Sequence, residues 1–308
     1  MLQPRCQYHP PVRVAAPKPK RSKSRAVTIA AGFRFNGGVI LCADTQETIE
    51  ELHSKTWTPK LIVQPTNKIY RDSPDDLVIA IAGAGDGPFI DKLTELIWEA
   101  SRDAKSIDEA CRKIQHSIKS THKEYGEIFQ PGYMPHAELV YGVKMQGKSK
   151  LFRSNGPVVN ELREYGSIGV GRYMADFLAS RSHQRYLPGT QAVILAAYVL
   201  FQCKEYVDGC GGDSNIAVLQ ETGGSGVMNQ WRVESFTELI RESELHFPHL
   251  LLSTLDCSVG VREFRKELES AMLAISKIHQ QSVDLKDQWE QLMSGQGAGK
   301  GPTGNPKS

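Results

Sequence analysis

The sequence predicts an α+β protein built as a four-layer αββα sandwich, followed by a C-terminal helical extension. Two observations lead to this fold class. Between residues 28 and 220, predicted elements follow the order strands, two helices, strands, two helices, strand. Two sheets, each covered by one pair of helices, bury the apolar faces of such a series. Beyond about residue 235, the apolar pattern changes to a helical heptad, which predicts the extension.

The first half of the chain contains a predicted hairpin, a buried strand and two helices. The apolar runs "TIAAGFRF" and "VILCAD" are joined by Asn-Gly at residues 36–37, a dipeptide typical of tight hairpins. Residues 48–66 lack clear periodicity and predict a loop with a short extra element. "LVIAIAG", residues 77–83, predicts a buried strand. Helical spacing predicts a helix that begins near Pro88 and a second helix over about residues 106–125.

The second half repeats this order before the pattern changes. "AELVYGVKM" and "KLFRSNG" predict two strands, "GVGRYMADFLASR" and "GTQAVILAAYVLFQCKEY" two helices, and "SNIAVLQ" a closing strand. A heptad seam follows, in which Ala271 and Ser282 are weak core residues. Its positions are Val261, Phe264, Leu268, Ala271, Ile275, Ile278, Ser282, Leu285, Trp289 and Leu292. Such a seam is more often packed on its own domain than part of an intermolecular coiled coil.

Composition and charge exclude several classes of protein. No apolar run approaches the roughly 20 residues that span a bilayer. The N-terminus has no apolar signal-peptide core, so we expect no membrane partner and a cytoplasmic location. Residues 1–27 hold seven Lys/Arg and no acid, which leaves 30 basic and 35 acidic residues, a charge of −5, for the remainder. Because only the leader is basic, we expect no nucleic-acid partner.

The sequence predicts neither a metal nor a cofactor. Its six cysteines include no CxxC pair, and its nine histidines include no HxxxH or HExxH pair. The segment "GAGDGP" has a proline, Pro88, at the third glycine position of GxGxxG, and no Walker lysine follows it. Nucleotide binding is therefore not expected.

The hairpin sequence "TIAAGFRFNGGVILCADTQ" resembles the start of proteasome β-type subunits and the related N-terminal-nucleophile (Ntn) hydrolases. The resemblance covers roughly residues 28–220, includes "NKIY" and "IAIAGAGD", and implies a bacterial proteasome-like protein with the Ntn-hydrolase fold. In that family, the hydroxyl of an N-terminal threonine attacks a carbonyl while its own α-amino group takes the proton. An α-amino pKa of about 8 suits this task near neutral pH.

The resemblance implies a set of site residues. Matching the family's Ala-Asp to the pair that ends at Asp44 places the nucleophile on Thr28 without a gap. Lys68 in "NKIY" best matches the catalytic lysine, with an insertion of about eight residues before it. Lys60 would need no insertion but lies too far from the Ala-Gly turn. Asp44 then orients the lysine, and the N–H of Gly83 is the expected oxyanion donor.

Some positions depart from the family pattern. "YVDGCGGDSNIAVL" resembles the family's Asp-x-x-Ser-Gly-Gly, with Cys210 in place of the serine and Asp208, a further site candidate, one residue out of register. Residues 169–171 read Gly-Val-Gly where the family has Gly-Ser-Gly. Val27 stands where self-processing precursors usually carry glycine.

The predicted function is that of a threonine-type peptidase or amide hydrolase. Its expected partners are a peptide or protein substrate, further copies of the chain in a homo-oligomer such as a ring, and an ATP-dependent unfoldase. Two other functions stay open: a non-catalytic, α-type structural subunit, and a small-molecule Ntn amidase. Thr28 as a plain strand threonine, Asp44 as a hairpin-end cap and Lys68 as a solvated lysine are the alternatives for single residues.

The sequence also predicts a division of the chain. Thr28 can act only with a free amine, so the leader must be absent from the active form. Self-cleavage after Val27, or translation that starts at a GTG codon for Val27, would achieve this. The predicted segments are a disordered basic leader, 1–27; a hydrolase domain, 28–235; a helical extension, 236–293; and a disordered tail, 294–308.

Overall fold

The computed structural model describes most of the chain between residues 28 and 293. The ranges are 28–49, 54–57, 61–65, 77–129, 134–184, 186–244, 246, 250, 254 and 260–293. The predicted leader and tail lie outside these residues. The described part is a mixed α+β structure with two five-stranded antiparallel sheets and a small two-stranded sheet. In this part, no helix combines the length and apolarity that a membrane span needs.

The elements of the described part are twelve strands and six helices. The strands are β1 (Ile29–Phe35), β2 (Gly38–Asp44), β3 (Gln46–Ile49), β4 (Ser54–Trp57), β5 (Leu61–Pro65), β6 (Val78–Gly85), β7 (Ala137–Met145), β8 (Lys148–Asn155), β9 (Val158–Leu162), β10 (Tyr165–Gly169), β11 (Ser214–Gln220) and β12 (Ser225–Val227). The helices are α1 (Gly87–Ser101), α2 (Ile107–Ile128), α3 (Arg172–Ser182), α4 (Gly189–Tyr206), α5 (Gln230–Glu244) and α6 (Val261–Met293).

The two large sheets are built from different parts of the chain. The first sheet has the strand order β10-β1-β2-β11-β12, and the second has the order β5-β6-β7-β8-β9. The predicted hairpin is confirmed: β1 pairs with β2, and the turn lies at residues 36–37. Gly37 has φ 94°, a backbone conformation that glycine adopts without strain.

The segment 48–66, expected as a loop, contains more strand than the sequence predicted. β3 pairs with β4 as a separate hairpin, and β5 forms the edge of the second sheet beside β6. These strands are four or five residues long, and "QETI" and "SKTW" carry little apolar alternation. Strands this short give no periodic signal, which is why the sequence did not reveal them.

The first helix pair begins where the sequence predicted. The side chain of Asp86 accepts the N–H of Phe89 at 3.0 Å and caps α1, which carries Pro88 in its first turn. Ser106 accepts the N–H of Glu109 at 3.2 Å and caps α2. Both caps satisfy backbone donors that have no partner inside the helix.

Three apolar clusters form the core. One lies between the first sheet and α3, α4 and α5, and a second lies between the second sheet and α1 and α2. The third cluster joins residues of both sheets, including the small side chains of Ala30 and Ala43 from one and Ala82 and Ala84 from the other. Small residues allow the two sheets to approach closely at this end.

The expected boundary after residue 235 falls inside α5. Val233, Phe236 and Ile240 of this helix all belong to the apolar cluster on the first sheet. The long helix α6 covers the predicted heptad seam and contacts α5, α4 and β12. How the chain divides into domains stays a prediction.

Candidate active site

Thr28 and Asp44 meet at the open end of the β1–β2 hairpin. The register Ala30↔Ala43 places Asp44 opposite Ile29, next to Thr28. The hydroxyl Oγ1 of Thr28 donates a hydrogen bond to Oδ1 of Asp44, and both residues are buried. The Asn-Gly turn therefore sets the register that brings these two predicted site residues together.

Backbone donors hold the carboxylate of Asp44. The N–H of Ile29 donates to its Oδ1 at 3.2 Å, and the N–H of Gly211 donates to its Oδ2 at 2.9 Å. A buried carboxylate is costly unless its oxygens accept hydrogen bonds. Two segments far apart in sequence, the hairpin and the loop before β11, thus fix this side chain. The carboxylate of Asp44 is therefore held by more than the hairpin that it ends.

The turn between β10 and α3 fixes the backbone of Thr28. The N–H of Gly171 donates to the carbonyl oxygen of Thr28 at 3.3 Å. Gly169 has φ 83°, and a Cβ at Gly169 would lie 2.2 Å from the same carbonyl oxygen. Only glycine therefore fits at this approach. The hydroxyl, the carbonyl and the following N–H of the Thr28–Ile29 unit are all held from within the fold.

Gly169→Ala is expected to destabilise the protein by about 2–4 kcal/mol, because the left-handed backbone and the contact with Thr28 both oppose a side chain. Gly147→Ala is a matched control: Gly147 has φ 65°, and its nearest atom, an oxygen of Glu221, would lie 3.7 Å from the new Cβ. We expect a cost of about 1–2 kcal/mol there. Urea unfolding measures both values, and equal costs would show that the contact with Thr28 contributes nothing.

Glu138 is a site residue that sequence reasoning missed. It lies on β7 of the second sheet, is half-buried, and its Oε2 accepts the N–H of Gly169 at 3.0 Å. This hydrogen bond links the second sheet to the turn that holds Thr28. The signal in the sequence is a single acid in the otherwise apolar start of "AELVYGVKM". The hydrogen-bond partner of Glu138 could not be inferred from the sequence, because the contact depends on how the two sheets pack.

The N–H of Gly83 points away from β7. The hydrogen bond from Asp86 N to His136 O, at 2.8 Å, continues the β6–β7 ladder by one pair. Hydrogen-bonded pairs alternate along an antiparallel ladder, so Gly83↔Leu139 is a non-hydrogen-bonded pair. On the other side, the described pairing of β5 with β6 ends at Ala82. The N–H of Gly83 is therefore directed to the side of β6 that the β7 ladder does not use.

Of the remaining predicted side chains, only that of Asp208 lies in the described part of the chain. Lys68 and its alternative Lys60 lie outside the described residues. Asp208 is exposed in the turn after α4 and makes no side-chain hydrogen bond or ion pair within the described part of the chain. The residue of this loop that reaches Asp44 is Gly211, through its backbone N–H.

The thiols near the site are buried in the apolar cluster on the first sheet. Burial raises the pKa of the Cys42 thiol to about 12 and also raises the pKa of Cys203. Cys210 is buried and lies against Gly171, where an added Cβ would be 3.1 Å from its sulfur. Cys42 and Cys203 are therefore protonated at neutral pH and unsuited to nucleophilic attack. Across the described residues, no three His, Cys, Asp or Glu side chains group as metal ligands would.

Comparison with solved structures gives the class of fold. The chain has a proteasome-like fold. It is similar to the Anbu (Gly-1) mutant from Hyphomicrobium sp. strain MC1, with a TM-score of 0.55 and 14% identity over 70% of this chain and 96% of that chain. It is also similar to Anbu (ancestral beta-subunit) from Yersinia bercovieri, with a TM-score of 0.56 and 13% identity over 71% of this chain and 95% of that chain.

The sequence comparisons add no family. No protein-family model matches the sequence, and no curated protein matches it. At identities of 13–14%, the likeness to the two structures shows the fold and not the activity.

Proposed function

We propose that the protein is a proteasome-like threonine hydrolase that cleaves peptide or other amide bonds, with Thr28 as its N-terminal nucleophile. The observation that carries this proposal is the buried hydrogen bond from the Thr28 hydroxyl to Asp44. A threonine that only stabilises a strand needs no buried carboxylate beside its hydroxyl. The proteasome-like fold supports the same assignment, because the resemblance implies an N-terminal threonine at the start of this hairpin.

The proposed reaction begins with a Thr28 that has a free amine. The amine takes the proton of Oγ1 as Oγ1 attacks the substrate carbonyl, and the protonated amine then gives this proton to the leaving amine. Water hydrolyses the ester formed on Thr28 by the reverse path. Removal of residues 1–27 leaves the anchors of Thr28 in place, because its hydroxyl, its carbonyl and the N–H of Ile29 are held from within the fold.

Gly83 is the proposed oxyanion donor. Its N–H is directed away from β7, to the side of β6 where the described pairing with β5 has ended, and a backbone N–H can donate to a tetrahedral oxyanion. The neighbouring residues Ala82 and Ala84 share the cluster between the sheets with Ala30 and Ala43, which flank the Thr28–Asp44 pair in sequence. This common cluster supports a position of Gly83 at the same end of the molecule.

Lys68 is the proposed site lysine. A cation beside Asp44 would favour a neutral Thr28 amine and stabilise the developing negative charge. We expect Lys68→Ala to lower kcat/KM for a peptidyl coumarin amide by roughly 10²-fold or more. Lys60→Ala is the control and should change it much less. If kcat/KM falls further for Lys60→Ala than for Lys68→Ala, or equally for both, the assignment of Lys68 as the site lysine is wrong.

We also infer the wider organisation. The three apolar clusters support four layers in the order αββα, with α6 as part of the helical extension. The proposed division is leader 1–27, hydrolase domain 28–235, extension 236–293 and tail 294–308, and Asp208 stays a further candidate for the site. We propose a cytoplasmic homo-oligomer, as in a ring, that receives peptide or protein substrates from an ATP-dependent unfoldase.

Two alternatives rest on specific features. The Thr28–Asp44 pair does not select the acyl group, so a small-molecule amidase would use the same geometry. A basic leader that stays attached would block the amine of Thr28, as in a structural α-type subunit. A panel of peptidyl coumarin amides and short N-acyl anilides separates these functions. We expect cleavage of the peptides; cleavage of the anilides alone would indicate an amidase, and cleavage of neither would contradict catalysis.

A further inference from the structure

Helix α6 presents an apolar stripe to solvent. The exposed fractions are 77% for Val261, 61% for Met272 and 49% for Ile275, and Leu268 and Val283 are exposed as well. Spacings of three, four, seven and eight residues place these side chains on one face of the helix. The stripe is interrupted by the exposed side chain of His279, between Ile275 and Val283. An exposed apolar stripe marks an interaction surface more often than scattered apolar residues do.

The structure divides the predicted heptad seam between two faces. Ala271 is only 2% exposed, and Ile278 packs against the apolar cluster of the first sheet, so this half of the seam faces the chain's own domain. Val261, Leu268 and Ile275, which alternate with them in the heptad, are exposed. Packing on the domain thus covers Ala271 and Ile278, and no described residue covers Val261, Leu268 or Ile275.

Charged residues are arranged along the same side of the helix. Arg265 and Glu269 lie in the N-terminal half of α6, and Lys286 and Glu290 lie in the C-terminal half. All four are exposed. The salt bridge between Lys286 and Glu290, at 3.7 Å, is also exposed and adds little stability. All four charges are accessible to a partner, and the pairing of Lys286 with Glu290 is weak enough to be exchanged.

We propose that this stripe binds the same stripe of a second copy of the chain, with the two α6 helices antiparallel. If the two-fold axis passes between residues 277 and 278, Arg265 lies level with Glu290 of the second copy. Glu269 is then level with Lys286, and Met272 with Val283. The same axis therefore aligns opposite charges at two pairs and apolar side chains at a third, and each pair occurs twice. It also sets Leu268 level with Asp287.

A parallel arrangement lacks this complementarity. In register, it sets Arg265 against Arg265, Lys286 against Lys286 and Glu290 against Glu290, and like charges at such positions oppose association. The contact extends from Arg265 to Glu290, about 38 Å at 1.5 Å per residue. Two helices along this length bury roughly 900 Å² in total, the size of a weak specific interface, so we expect association at micromolar concentrations.

Met272→Glu and Leu273→Glu form a matched pair for the test. Both side chains are 61% exposed, but Leu273 lies about 100° around the helix from Met272, outside the stripe. Sedimentation of the full chain across micromolar concentrations measures self-association. We expect Met272→Glu to weaken it at least tenfold and Leu273→Glu to leave it unchanged. Equal behaviour of the two variants would overturn the proposal.

A charge exchange tests the orientation. Arg265→Glu should weaken association, and Arg265→Glu combined with Glu290→Arg should restore it, because the antiparallel pair then regains opposite charges. A double variant that stays weak would overturn the antiparallel arrangement. Melting temperatures serve as the folding control, and peptide turnover should be unchanged in every variant. Because the readout is mass, the outcome is independent of whether the chain is a hydrolase.

Discussion

Thr28→Ala is expected to abolish the cleavage of peptide amides, by at least ~10³-fold in kcat, while the protein stays folded. The substitution removes the only proposed attacking oxygen. It also removes one donor from the buried Asp44, at a cost of about 1–3 kcal/mol, which a domain of ordinary stability tolerates. Turnover of a peptidyl coumarin amide and urea unfolding should be measured on the same preparation.

Two variants serve as controls for Thr28→Ala. Thr28→Ser keeps a hydroxyl and should retain measurable turnover. Thr45→Ala removes the neighbouring buried hydroxyl, which accepts the N–H of Asp213 at 2.8 Å, and should lower stability but not turnover by a large factor. If Thr28→Ala cleaves substrate at the parent rate, or if Thr45→Ala is equally inactive, Thr28 is not the nucleophile.

Asp44→Asn should be the second most damaging substitution. The asparagine keeps the shape of the side chain but places an NH₂ group against donors that now face carboxylate oxygens, among them the hydroxyl of Thr28 and the N–H of Gly211. We expect unfolding free energy to fall by about 2–4 kcal/mol. Turnover should fall by roughly 10²-fold or more, because the charge that orients the site is lost.

Asp86→Asn is the matched control for Asp44→Asn. Asp86 accepts a backbone N–H at the start of α1, a position where asparagine caps a helix about as well as aspartate. For Asp86→Asn, we expect the free energy of unfolding to change by a few tenths of a kcal/mol and turnover to stay unaltered. If urea unfolding and steady-state kinetics give the same small changes for Asp44→Asn, the carboxylate has no special role.

The part of the site that could be predicted depends on local geometry. The Asn-Gly turn at residues 36–37 sets the hairpin register, and this register alone brings Thr28 to Asp44. The resemblance supplied the chemistry for that pair. The contacts of Glu138 and Gly211 could not be predicted, because they join segments separated by 31 and 167 residues and depend on how sheets and loops pack.

Prediction of the fold from the sequence meets the same limit, because packing is not visible in the sequence. The apolar run "VILCAD" and the long periodic seam of α6 gave the right elements, whereas the short strands β3 and β4 carried no pattern. The seam was predicted as one surface. Packing of Ala271 and Ile278 on the domain divided it, and this division cannot be read from spacing, since both halves have the same heptad period.

The N-terminal residue of the active protein is the most direct test of the proposed function. Intact-mass analysis and N-terminal sequencing should be performed on protein that has been purified from its native host and shown to cleave a peptidyl coumarin amide. We predict a chain that begins at Thr28 with an unmodified amine, whichever route removes residues 1–27. Fully active protein that still carries Met1 to Val27 would contradict catalysis by Thr28.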